Sequence, residues 1–158
     1  MVTTRLWNKD LIDVLPDMQL KGQWRECCAI ASNIAKYGTP NHILVNPIME
    51  YPIDHFYTYA FIYVYREMLN RGFEVKGHVL EEFRDNIIAY SNKMYFEVVP
   101  HNQLFDAWHS TRYLLQCMLN LQEKYDRGGI TFEEWFRIVN KTRSMHVYCE
   151  ETYQSLFV

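Results

Sequence analysis

The segment Gln19-Leu20-Lys21-Gly22-Gln23-Trp24-Arg25-Glu26-Cys27-Cys28 brings residue types that can do chemistry into close spacing. Glu26 offers a carboxylate, able to move a proton or to stabilise a developing cation. Arg25 beside it offers a guanidinium fork, which suits phosphate oxygens. On a helix, Gln19, Gly22, Gln23, Glu26 and Asn33 fall on one polar stripe, and Glu26 is its only charged member. A glycine inside a helix costs about 1 kcal/mol relative to alanine, so Gly22 needs a reason. Either it leaves open space beside Glu26 for a ligand, or it lets another backbone pack close. Spacing alone leaves both open, and a solvated glutamate beside a packing glycine is the plainer reading.

Other chemistry leaves no trace. The phosphate-cradling, dinucleotide-binding, zinc-protease and serine-hydrolase motifs are absent. His42, His55, His78, His101, His109 and His146 show no i,i+4 ligand spacing, and a metal site could only be assembled from distant residues. Cys27 and Cys28 are adjacent while Cys117 and Cys149 stand apart, with no CxxC pair. They read as reduced, buried thiols, and neither a metal nor a cofactor is expected.

The elements that must position the stripe follow from periodicity. After Pro16, apolar residues recur at Leu20, Trp24, Cys27, Cys28, Ala31, Ile34 and Ala35, the buried face of a helix that Gly38 and Pro40 stop. A second helix is expected from Pro52 to Arg71, although Tyr57, Tyr59, Phe61, Tyr63 and Tyr65 alternate with a strand-like period. Its aromatics read as core rather than as a base-stacking platform. A shorter helix is expected from Val79 to Tyr90, a long one from Asn102 to Tyr125, and a last one from Thr131, where Glu134 completes a capping-box spacing. The expected fold is all-α, a compact bundle of about four to five helices forming one domain over residues 1–158.

Composition agrees. With 158 residues, 49% hydrophobic and 16% aromatic, the chain can bury a core. No apolar run is long enough for a membrane span, and the N-terminus lacks the apolar core of a signal peptide. A cytoplasmic protein without membrane association is expected. The net charge of −3 removes the simplest argument for a face that grips duplex DNA.

Thr4-Arg5, the leucine-rich stretch after them, the run of Leu20, Trp24, Arg25 and Glu26, and Arg71-Gly72-Phe73 together resemble the pyrimidine-dimer DNA glycosylases of the phage endonuclease V type. Within that family the chain looks like the bacterial branch with an RLW start and a GQWREC run. The resemblance covers about the first half of the chain. Beyond Glu74 it becomes patchy, with Pro100-His101 and Arg112 matched only across a gap.

The resemblance implies a small all-α DNA N-glycosylase and AP lyase acting on damaged or modified pyrimidines. In the family, the N-terminal α-amine attacks the glycosidic carbon, a Schiff base forms, the base leaves and β-elimination nicks the strand. Carried over, Glu26 takes the acid/base role and Thr4 supplies the amine. Arg5 and Arg25 take arginine roles toward phosphates, Gln23 joins them at the substrate, and Arg112 is a further phosphate contact. An α-amine titrates near pH 8, about two units below a lysine, so more of it is a neutral nucleophile at neutral pH. The chain departs from the family pattern where Met1, Val2 and Thr3 precede Thr4, where Gln19 replaces a histidine and where Ala29 replaces an arginine.

Two other functions fit the same residues. The pocket could bind or cleave a free nucleotide-like ligand, which the acidic balance favours over duplex DNA. The scaffold could also serve a non-catalytic helical interaction protein. Oligomeric state is not legible in the sequence.

Overall fold

Pro16 fixes where the first long helix begins. It lies just outside the helix with φ −56°, and its carbonyl accepts the Leu20 N–H at 2.9 Å. From there α1 runs over Asp17–Tyr37 in the computed structural model, which describes residues 5–148 and 153. Gly38, at φ 76°, closes it by donating its N–H to the Ile34 carbonyl, a left-handed conformation that glycine adopts without strain. Leu20, Trp24, Cys27, Ile30, Ala31 and Ile34 are buried at steps of three and four. Trp24 packs between the rings of Tyr65 and Phe83, at centroid distances of 5.4 and 5.5 Å.

Ahead of α1, residues 5–8 carry no helical turns and lead into a 3-10 helix, Lys9–Val14. Asn8 caps that helix by accepting the Asp10 N–H at 2.9 Å. A second short 3-10 helix, Asn46–Glu50, follows α1.

The expected second helix is one continuous rod of three kinds of turn. It comprises α2, Ile53–Tyr57, a π-helical stretch, Thr58–Tyr65, and α3, Arg66–Asn70. The alternating aromatics occupy the π stretch and its borders. Tyr57, Phe61 and Tyr65 stack in a near-parallel ladder at 5.3 and 5.2 Å, while Tyr59 is fully buried on another face. The core expectation for this run therefore holds for Tyr59, and the four other rings are half-buried.

Next, α4 (Gly77–Ser91) lies along α1 and buries Phe83 and Ile87. The expected helix from Asn102 to Tyr125 is corrected. Residues 101–108 form turns, with buried Phe105 at φ 47°, outside the right-handed helical region. Ser110 then caps a new start by accepting the Tyr113 N–H, so α5 covers only Thr111–Asp126. Thr131 and Glu134 form the full capping box of α6, Phe132–Arg143, through bonds of 3.2 and 2.9 Å. α6 packs on α5 and on the 3-10 helix Lys9–Val14, where Lys141 pairs with Asp13.

The described residues are helical and contain no strand, in agreement with an all-α fold. They form six α-helices rather than four to five, because the π stretch separates α2 from α3. No described helix is long and apolar enough to cross a membrane.

Candidate functional site: a cavity between α1, α5 and the N-terminal arm

The arm over residues 5–9 lacks a helical hydrogen-bond ladder, so its peptide groups need side-chain partners. Four elements supply them. Gln23 of α1 donates from Nε2 to the Arg5 carbonyl at 2.9 Å and accepts the Trp7 N–H at Oε1 at 2.6 Å. Tyr113 of α5 donates its hydroxyl to the Leu6 carbonyl at 2.5 Å. Tyr59 of the π stretch donates to the Trp7 carbonyl at 2.5 Å and also lies 3.0 Å from Gln23 Oε1. His109, just before α5, accepts the Lys9 N–H at Nδ1 at 2.9 Å.

Beside this arm lies a cavity of about 440 Å³. One wall is the polar stripe of α1, with Gln19, Gly22, Gln23 and Glu26, joined by Arg25. The arm contributes Arg5 and Trp7, and α5 contributes Asn120 and Lys124. A Cβ placed on Gly22 would meet only Arg25 Nη2, at 3.9 Å. Among the described residues no other backbone packs against Gly22, so its missing side chain opens the cavity rather than a helix contact. The half-buried Glu26 carboxylate makes no hydrogen bond or ion pair with the described residues. Gln19 Oε1 is buried and likewise without a partner. Three cations, Arg5, Arg25 and Lys124, thus line the same cavity as one carboxylate, in a chain whose net charge is −3.

The structure brings Arg5, Gln23, Arg25 and Glu26 together and separates Arg112 from them. Arg112 is exposed on the first turn of α5 and does not line the cavity, about 12 Å of helix away from Asn120. Thr4 lies outside the described residues; its neighbour Arg5 is at the cavity wall. Gln23 is 1% exposed and its amide is taken up by the arm and Tyr59, so it positions the arm. Sequence reasoning missed Asn120 and Lys124. Their four-residue spacing is a readable polar pair on α5, but only the packing of α5 against the arm turns it toward Glu26.

Burial sets the other titrations around the arm. It raises the Tyr113 hydroxyl, with the nearby Cys117 adding to the rise and the Arg5 charge opposing it. It also raises the Cys117 thiol, against a backbone hydrogen bond from Asn8 and the Arg5 charge. Both groups keep their protons and serve as packing and hydrogen-bonding partners. Burial, helped by the Lys9 charge, holds His109 well below the usual histidine range, so it is a neutral acceptor. Among the described residues no group of three or more His, Cys, Asp or Glu side chains is arranged to hold a metal ion. Cys27, Cys28 and Cys117 are free thiols, and Cys149 lies outside the described residues.

The family model of pyrimidine dimer DNA glycosylases matches residues 4–80. Over this segment the chain is similar to the pyrimidine dimer DNA glycosylases. No curated protein and no solved structure matches the chain. The matched segment starts at Thr4 and contains the arm, α1 and the whole π-containing rod. It stops within α4, so Asn120 and Lys124 reach the cavity from outside it.

Proposed function

We propose that this cavity cleaves the N-glycosidic bond of a damaged or modified pyrimidine nucleotide in DNA and then nicks the strand by β-elimination. The observation that carries the reading is the Glu26 carboxylate, without a partner among the described residues, in one cavity with Arg5, Arg25 and Lys124 beside a hydrogen-bonded arm. The arm delivers an N-terminal α-amine, at Thr4 once the residues ahead of it are removed. Its lone pair forms a bond to C1′ as the C1′–N bond breaks, and the base leaves with the electron pair and takes a proton. Glu26 stabilises the positive charge that develops at C1′ and relays protons. The sugar ring then opens to an imine, and loss of a C2′ proton expels the 3′ phosphate. Arg5, Arg25 and Lys124 hold phosphate oxygens on either side of the reacting sugar. The orphaned Gln19 oxygen accepts an N–H from the extruded base, which costs least to flip at a damaged site.

Borohydride trapping on ultraviolet-irradiated or abasic duplex DNA tests this reading. A protein with a verified native terminus should give a covalent adduct at its N-terminal residue. Glu26→Gln should slow base release by about 100-fold or more without lowering the melting temperature, because Glu26 has no partner to lose among the described residues. The absence of any adduct rules out amine catalysis.

The net charge of −3 favours a second reading, in which the same cavity takes a free nucleotide. Its volume lies in the range of small-molecule sites. Thermal stabilisation by nucleotides, without measurable affinity for irradiated duplex DNA, would select that reading.

A further inference from the structure

Three side chains from distant parts of the chain form a hydrogen-bonded relay away from the Glu26 cavity. Asp10 Oδ1 lies 2.6 Å from His101 Nε2, and His101 Nδ1 lies 2.7 Å from the Tyr63 hydroxyl. Tyr63 and His101 border a second cavity of about 310 Å³, which shares no lining residue with the first. Tyr63 sits in the π stretch, a kind of turn that occurs disproportionately at functional sites.

The charges lining this cavity do not cancel. Asp13 is paired with Lys141, and Glu67 is paired with Arg71. Arg66 is exposed and makes no hydrogen bond or ion pair with the described residues. Lys9 donates from Nζ to the carbonyls of His101 and Leu104, both at 2.6 Å, and those partners are neutral. The cavity therefore presents the free guanidinium of Arg66 and the ammonium of Lys9, with the Tyr63 hydroxyl between neutral and charged neighbours.

The relay decides what Tyr63 offers. A neutral imidazole has one N–H. If Nε2 donates it to Asp10, Nδ1 accepts the only hydroxyl hydrogen of Tyr63, and the phenol turns lone pairs toward the cavity. A protonated imidazole donates from both nitrogens, which frees the Tyr63 hydrogen to point at a ligand. Burial, with the Asp10 charge adding to it, raises Tyr63, so the phenol stays a donor rather than becoming a phenolate. Asp10 holds the ring at Nε2, Lys9 and Arg66 line the cavity beside it, and Lys141 and Asp13, on the facing elements, offset one another.

We propose that this cavity is a second ligand site, which takes the phosphate group of a phosphate ester on Arg66 and on a Tyr63 hydroxyl that protonation of His101 turns toward it. Binding then takes up a proton. The site is independent of the Glu26 chemistry.

Sulfate is the probe, since it is tetrahedral and stays a dianion across the pH range in which histidines titrate. Its affinity for the whole protein should be about tenfold higher near pH 5.5 than near pH 8, the worth of one charge-assisted hydrogen bond. Inorganic phosphate should compete with it. Tyr63→Phe should abolish the pH difference, and Arg66→Gln should weaken binding at both pH values. Nuclear magnetic resonance of the His101 ring nitrogens should show sulfate shifting the ring toward its protonated form in the unmodified protein. The proposal is overturned if sulfate does not saturate a site at millimolar concentration, or if Arg66→Gln leaves its affinity unchanged. It is equally overturned if Arg25→Gln, which lies outside this second cavity, is the change that removes binding, or if phosphate does not compete.

Discussion

Gln23 and Glu26 are one helical turn apart on α1 and do opposite work. Gln23 is buried, and its amide closes the gap between α1, the arm and Tyr59. Replacing it by alanine strands the Trp7 N–H and the Arg5 carbonyl. The expected cost is about 2–4 kcal/mol, read from urea unfolding, together with loss of activity through a displaced arm. A loss below about 1 kcal/mol would mean that the arm is held without it. Glu26, by contrast, is bound to none of the described residues. The polar stripe was legible in the sequence because helical spacing alone aligns Gln19, Gly22, Gln23 and Glu26. Which member is a strut and which faces open space was not, because that depends on where Arg5 and Trp7 lie. Lys124 was illegible for the same reason, being nearly a hundred residues along the chain from Glu26.

At the scale of elements, α1 bends its own propensity to make room. Gly22 lies mid-helix with φ in the ordinary helical range, so alanine fits the backbone there. Gly22→Ala should raise stability by about 1 kcal/mol in a thermal melt. The added methyl meets Arg25 and narrows the cavity, so single-turnover cleavage should slow in the more stable protein. If cleavage is unchanged, the space beside Gly22 is not used. Helix ends written as caps were readable: Pro16, Gly38 and the Thr131–Glu134 box each stand where a helix begins or stops. The break between residues 101 and 111 was not readable from apolar steps. Leu104 and Phe105 are buried as a helical pattern would demand, yet the left-handed Phe105 and the Ser110 cap turn the chain between them and α5. The aromatic alternation over 57–65 misled in the other direction, since a π turn places successive rings on faces that neither strand nor α-helix spacing describes.

For the whole molecule, the buried histidines make acid the adverse condition. Burial lowers His109 well below the usual histidine value and lowers His55 as well. Above the unfolded value of about 6.5 neither state takes up a proton, and these groups contribute no pH dependence. Below it the unfolded chain binds protons that the folded chain refuses, so stability falls as pH falls. Each such histidine contributes a slope of up to about 1.4 kcal/mol per pH unit until its folded value is reached. Urea unfolding at steps between about pH 7.5 and 5 should show this decline. His109→Gln, whose amide oxygen can accept the Lys9 N–H, should flatten it. A slope that His109→Gln leaves intact would place the proton uptake elsewhere.

The arm also ties the order of assembly to the order of synthesis. Its partners Gln23 and Tyr59 belong to the segment made first, but Tyr113 and His109 are made about a hundred residues after it. Contacts of such separation form slowly, because the loop between them must close before they repay its entropy. A nascent chain ending at residue 80 would contain Glu26, Arg25 and Arg5 and still lack the α5 wall with Asn120 and Lys124. The Glu26 carboxylate is thus exposed early on the ribosome but acquires a shaped cavity only when the second half of the chain arrives, so the proposed activity should be missing from a chain that ends at residue 80.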